Sequence, residues 1–214
     1  MAISQARRRQ RPAILIRAAR SIEPFGLFLR GFLKNPAMVG SVIPSGKVLI
    51  DRMLDAIDWS AVSLFVEYGP GVGTFSKPIL ARMRPDATLI AIDTNEDFAR
   101  YLSKHIADSR FMAVHGSAAE AGAIIAAQGF AAADHVLSGI PFSTLPDGVG
   151  AAIMDETARV LRPGGSFLVY QYSAFTRTML KQNFAHVDEG VVLRNIPPCR
   201  TFRAWKGDEV PAES

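Results

Sequence analysis

A single cysteine, Cys199, in 214 residues excludes an internal disulfide and any CxxC zinc or redox motif. It suits a reducing compartment such as a cytoplasm. No apolar run approaches the roughly 18 residues of a spanning helix, which speaks against an integral membrane protein. The Gly-Lys-Ser/Thr of a phosphate-cradling NTPase loop is missing. Neither an internal repeat nor a low-complexity tract occurs, apart from the polar tail 207–214. His105, His115, His135 and His186 show no ligand spacing, so no metal site is expected. What is present is enough apolar material, 49% hydrophobic against 21% charged, to bury a core in one domain of ordinary size.

The net charge of +4 hides an asymmetry. Residues 1–35 carry eight basic side chains against one acid, Glu23, while the rest of the chain carries 16 basic and 19 acidic ones. A mildly acidic body therefore bears a basic N-terminal arm, expected over 1–36, and such an arm points to an anionic partner. The arm is amphipathic as well. Ile14, Leu15, Ala18, Ala19 and Ile22 share one helical face and Arg17 and Arg20 another. Beyond Pro24, Phe25, Phe28, Leu29, Phe32 and Leu33 oppose Arg30 and Lys34. Apolar rings on one face and cations on the other suit an anionic membrane surface, with residues 1–34 as the contact. The same face would also suit packing on the chain's own domain, and an Arg-rich, acid-poor presequence would look similar.

From Pro44 onward, β-rich runs alternate with helical stretches. Strands are expected at 62–68, 87–93, 110–115, 133–138 and 166–172, and helices near 46–57, 75–84, 95–107, 117–128 and 147–161. Short hydrophobic strands separated by helices mean parallel βαβ units covered on both faces. After a helix near 174–184, two strands at 185–193 and 199–206 lie too close together for a crossover, so they form an antiparallel pair at the sheet edge.

The first strand ends in Glu67-Tyr68-Gly69-Pro70-Gly71-Val72-Gly73-Thr74 and a helix follows. Glycines there let the chain turn sharply and let a ligand approach bare backbone. A pyrophosphate-binding dinucleotide loop would place its third glycine at Thr74. Asp93 closes the second strand, 20 residues after Gly73, where a carboxylate takes hydrogen bonds from vicinal ribose hydroxyls, with Asn95 beside it. Leu161-Arg162-Pro163-Gly164-Gly165 turns into the fifth strand.

These three features together resemble the S-adenosylmethionine-dependent methyltransferases of the Rossmann-like class, over about residues 40–206. The resemblance implies an α/β fold with a seven-stranded, mostly parallel sheet whose last strand is antiparallel, with the domain over 37–206 and a frayed tail at 207–214. It implies that Gly69, Gly71 and Gly73 line S-adenosyl-L-methionine. Glu67 would orient the loop or reach the amino group, and Asp93 would hold the ribose. Ser117 stands where the family often has the acid that contacts adenine, so a hydroxyl or a backbone group serves instead.

The acceptor is expected beyond the fourth strand, at Ser138-Gly139-Ile140-Pro141-Phe142. Taken in order, a short N-terminal helix, a Pro-Ser loop, EYGPGVGT, SGIPF and the Asn-Ile-Pro-Pro of 195–198 are similar to the bacterial phospholipid N-methyltransferases. This chain departs from their pattern at Val72, Ile140 and Gly46. The likeness implies N-methylation of an aminophospholipid, phosphatidylethanolamine toward phosphatidylcholine, by an enzyme lying peripherally on the inner face of the membrane. Lys47 or Arg194 would meet the lipid phosphate near Ser45. Backbone carbonyls around Ser138 and Gly139 would aim the amine, Phe142 would face the growing cation, and Tyr172 is a pocket candidate. One rival is an RNA adenine N6-dimethylase. The missing base-holding asparagine and the missing appended helical domain speak against it, and so against nucleic acid as a partner. Another is a non-catalytic tether on the same fold.

Overall fold

The computed structural model describes residues 44–172, 174–193 and 198–207, the side chains of Pro44 and Ser45 excepted. The basic arm, Arg194 and the tail beyond Gly207 lie outside the described residues, as does the Ser45 side chain.

Among the described residues, six α-helices and seven strands follow in strict order. They are α1 (Pro44–Leu54), β1 (Leu64–Tyr68), α2 (Ser76–Arg82), β2 (Thr88–Asp93), α3 (Glu96–His105), β3 (Phe111–His115), α4 (Ala121–Ala127), β4 (Ala133–Ser138), α5 (Val149–Val160), β5 (Leu161–Gln171), α6 (Thr176–Asn183), β6 (His186–Val192) and β7 (Cys199–Trp205). The sheet order is β3-β2-β1-β4-β5-β7-β6. The first five strands pair in parallel, and β7 runs antiparallel to both β5 and β6. The expected architecture is borne out. The last two strands do pair antiparallel at the edge, with β7 inserted between β5 and β6.

Strand parity splits the core into two layers. Leu64, Val66 and Tyr68 of β1 pack with Ile124, Ile125, Ile153, Met154 and Leu180 of α4, α5 and α6. Phe65 of the same strand packs with Leu49, Met53, Ile79 and Leu102 of α1, α2 and α3. All five residues of β1 are buried, as a central strand covered on both faces requires. Reading Leu-Phe-Val-Glu-Tyr therefore also tells which way Glu67 points: with Phe65, toward the α1–α3 layer.

The lower edge of the sheet is fastened by Asp134. Its carboxylate accepts from the Ser63 and Leu64 amides at 2.7 and 2.8 Å and from Arg162 Nε at 2.5 Å. The Pro-Gly-Gly turn belongs to β5 rather than preceding it, and the pairing with β4 shifts register there. A Cβ on Gly165 would stand 2.7 Å from the Asp134 carbonyl oxygen, so only glycine lets the strands close.

The sheet order reverses between β1 and β4. In an open α/β sheet that reversal opens a crevice beyond the carboxyl ends of the strands, and the glycine loop and Gly139 meet there.

Candidate active site

The turn after β1 uses the left-handed region three times: Gly69, Gly71 and Gly73 have φ of 65°, 55° and 84°. Their reasons differ. A Cβ on Gly73 would stand 2.8 Å from Leu102 Cδ2, so this glycine packs the loop onto α3. At Gly69 it would stand 3.2 Å from Ile140 Cγ1, where the loop meets the segment after β4. At Gly71 it would meet nothing within 4 Å. Gly71 thus combines a backbone that side chains rarely adopt with open space above it, the arrangement a ligand lying across bare main chain requires.

Two buried carboxylates flank this loop. Asp93 is 9% exposed, and its oxygens accept from the Asn95 amide at 2.8 Å and the Gly71 amide at 3.3 Å. Burial pushes its pKa up to about 6 against the pull of those two amides. Glu67 is 3% exposed and accepts a hydrogen bond from the Ser76 hydroxyl at 2.6 Å. Burial pushes it up to about 7, the Ser76 hydrogen bond opposes the rise, and the Asp93 charge adds to it. Neither acid has a salt-bridge partner among the described residues, so a cationic ligand would relieve both. The open loop and these acids fit the methionine and ribose ends of S-adenosylmethionine.

Asn95 and Ser117 are placed at the same strand ends with committed side chains. Asn95 Oδ1 accepts from the Asp97 amide at 2.9 Å and caps α3, while Ser117 Oγ accepts from Ala119 at 3.2 Å and caps a short 3₁₀ turn. His115 stands opposite Asp93 in the β2–β3 register. Its Nε2 lies 3.1 Å from the Thr94 carbonyl, and its Nδ1 is buried without a partner among the described residues.

On the acceptor side the geometry corrects part of the expectation. Gly139 is tied to β1 through its amide and the Tyr68 carbonyl at 3.2 Å. Ser138 is fully buried, and its hydroxyl accepts from Ile140 N at 3.2 Å, turned into its own loop rather than outward. Phe142 is 2% exposed and belongs to the α4–α6 core, so it has no ring face left for a developing cation. Lys47 pairs with Asp51 at 2.5 Å on the exposed side of α1. Tyr172 lies past the end of β5 and is 64% exposed. Arg194 and the Ser45 side chain are outside the described residues.

Tyr170 and Ser76 were not singled out in the sequence. Tyr170 stacks on Phe75 with ring centroids 4.8 Å apart, and a Cβ on Gly139 would stand 2.2 Å from its hydroxyl oxygen. Tyr170 lies within β5 and Tyr172 just past its end, so the local sequence signal for Tyr170 was a tyrosine two residues away. Tyr68 is core: it is fully buried and packs edge-on to Phe167.

Comparison with known proteins finds methyltransferases. The family described as "Methyltransferase domain" matches residues 65–165. An ornithine lipid N-methyltransferase of Singulisphaera acidiphila is 29% identical over 187 residues, 85% of this chain and 95% of that one. A ribosomal RNA small subunit methyltransferase H of Cupriavidus metallidurans is 34% identical over 112 residues, 52% of this chain but only 31% of that protein. Among solved structures, a Burkholderia thailandensis 1,6-didemethyltoxoflavin-N1-methyltransferase with bound S-adenosylhomocysteine superposes with a TM-score of 0.61 at 15% identity, covering 92% of this chain and 94% of that one. At that identity the likeness is one of fold.

Proposed function

We propose that this chain, an S-adenosylmethionine-dependent N-methyltransferase of the bacterial lipid N-methyltransferase family, carries phosphatidylethanolamine toward phosphatidylcholine at a membrane surface. The observation that carries the reading is how near Ile140 stands to Gly69, where an added Cβ would meet Ile140 Cγ1 at 3.2 Å, so the cofactor loop lies beside the segment expected to receive the amine.

S-adenosylmethionine supplies a methyl group made electrophilic by its sulfonium sulfur. The chain's own part is placement. Gly71 leaves the loop open to the cofactor, Asp93 holds the sugar hydroxyls, and Glu67 answers its positive end. Proximity and desolvation supply most of the rate in such a displacement, because a neutral amine already carries its nucleophilic lone pair. Removing the head-group ammonium from water lowers its pKa and favours that neutral form. Residues 1–34 would hold the enzyme at an anionic surface, and Arg194 would meet the lipid phosphate.

A second acceptor has its own support, because the relative matched over almost its full length acts on an ornithine lipid by name. Both acceptors are lipid amines. The deciding experiment incubates the purified chain and radiolabelled S-adenosylmethionine with liposomes containing phosphatidylethanolamine or ornithine lipid, and with total RNA. Lipid chromatography then reads the products. Label in phosphatidylethanolamine supports the lead reading and label in ornithine lipid the second. Label confined to RNA overturns both.

A further inference from the structure

The end of β4 offers the incoming amine few side chains. Ser138 has turned its hydroxyl onto Ile140 N. Gln171 is used twice, its Nε2 donating to the Ile140 carbonyl at 2.8 Å and its Oε1 accepting from Thr176 at 2.5 Å. Phe142 is in the core. The Tyr68 hydroxyl, on the adjoining strand, is without a partner among the described residues but buried in the core. The Tyr170 hydroxyl also makes no hydrogen bond among the described residues. It is held over Gly139 by the stack on Phe75, the buried residue at the start of α2. It fills the volume that any residue larger than glycine would take at 139. The glycine is therefore not merely permissive: it makes room for a phenol.

We propose that Tyr170 orients the acceptor, its hydroxyl oxygen accepting a hydrogen bond from an N–H of a primary or secondary lipid amine so that the lone pair faces the cofactor methyl. This rests on the lipid N-methylation reading above and names the residue that the site uses to aim the amine. In the step itself the nitrogen lone pair forms the new N–C bond as the methyl C–S bond breaks, and that bonding pair stays on sulfur. The methylated ammonium then loses a proton to water. Tyr170 takes no proton. Burial and the Glu67 charge hold its pKa above the ordinary phenol range, which suits an intact phenol and not a phenolate base.

A hydrogen-bonding role predicts a dependence on the acceptor that packing does not. A neutral primary or secondary amine has an N–H to give, whereas a neutral tertiary amine has none. The test measures kcat and KM for wild type and Tyr170→Phe on liposomes containing phosphatidylethanolamine, its monomethyl form or its dimethyl form. S-adenosylhomocysteine affinity and melting temperature are recorded alongside. Tyr170→Phe is expected to lose about tenfold in kcat on the first two lipids and less than twofold on the dimethyl lipid, with nucleoside affinity unchanged. Equal losses on all acceptors, or none on any, overturn the role of Tyr170 and leave the lipid reading standing. A wild type that labels no lipid overturns both together.

Discussion

Asp93 and Gly71 touch: the acid that closes β2 accepts a hydrogen bond from the amide at the open centre of the glycine loop, at 3.3 Å. The group expected to grip the sugar therefore also fixes the bend on which the cofactor lies. Asp93→Ala should weaken S-adenosylhomocysteine binding by at least tenfold, about 1.4 kcal/mol or more, because ligand contact and loop geometry go together. Isothermal calorimetry on the two proteins checks it. An unchanged Kd would remove Asp93 from the site.

Binding should release protons at mildly acidic pH. Free Glu67 and Asp93 titrate near 7 and 6, both above ordinary carboxylates because they are buried. A ligand bearing a sulfonium and an ammonium favours the ionised acids and pulls both values down. At pH 6 the free protein still holds most of the Glu67 proton and part of the Asp93 proton, and these leave on binding. By pH 8 there is little left to release. Affinity for S-adenosylmethionine should accordingly rise between pH 6 and 8. Calorimetry in buffers of different ionisation enthalpy counts the protons, and a count of zero at pH 6 would contradict the assignment.

Glu67 should also cost the empty protein stability. Its folded pKa lies above its unfolded one, so the unfolded chain binds fewer protons between about pH 4.5 and 7. Stability due to this residue thus falls as pH rises through that window. Glu67→Gln removes the charge while keeping a partner for Ser76. The cofactor-free variant should melt several degrees higher at pH 8, on the order of 2 kcal/mol more stable, and near wild type at pH 4.5. The same variant should bind cofactor more weakly. Thermal melts at the two pH values separate this from a simple packing change.

Much of this arrangement can be read from the chain. Continuous apolar runs such as Leu64-Phe-Val name a central parallel strand, and Glu67 at its end is a local breach of that pattern, as expected at a functional position. The positive φ of Gly69, Gly71 and Gly73 follows from their spacing at a strand-to-helix turn. The acceptor side is less legible because it depends on side-chain direction across strands. Nothing local in Ser138-Gly139-Ile140 says that the hydroxyl folds back on Ile140, and nothing near Phe142 says that its ring enters the α4–α6 layer. Tyr170 is 31 residues from the glycine it covers, and only the β4–β5 register brings them together.

Gly139→Ala should disable the enzyme through Tyr170. The added Cβ would fall 2.2 Å from the hydroxyl oxygen and 2.7 Å from Cζ, so the stacked ring must move off Phe75. A loss of about 1–3 kcal/mol in stability is expected from the overpacking. Combining it with Tyr170→Phe removes the nearer clash and not the second. The double variant should therefore be more stable than the sum of the single effects implies. Denaturant melts of the four proteins give the coupling, and strict additivity would mean that the two residues do not meet.

The basic arm gives a prediction about place rather than chemistry. Seven net positive charges in the first 35 residues are each worth about 1 kcal/mol beside an anionic leaflet, and salt weakens that attraction. Deleting residues 1–34 should abolish flotation with vesicles rich in anionic lipid while leaving S-adenosylhomocysteine affinity intact, since Glu67 and Asp93 sit on sheet strands and Gly71 in the loop that follows β1. Binding of the full chain should fall as salt is raised, and neutral vesicles should hold it poorly. Activity on a lipid dispersed in detergent should survive the deletion far better than activity on vesicles, because detergent removes the need to find a surface. A truncated chain that floats as well as the intact one would assign membrane contact to the body of the domain.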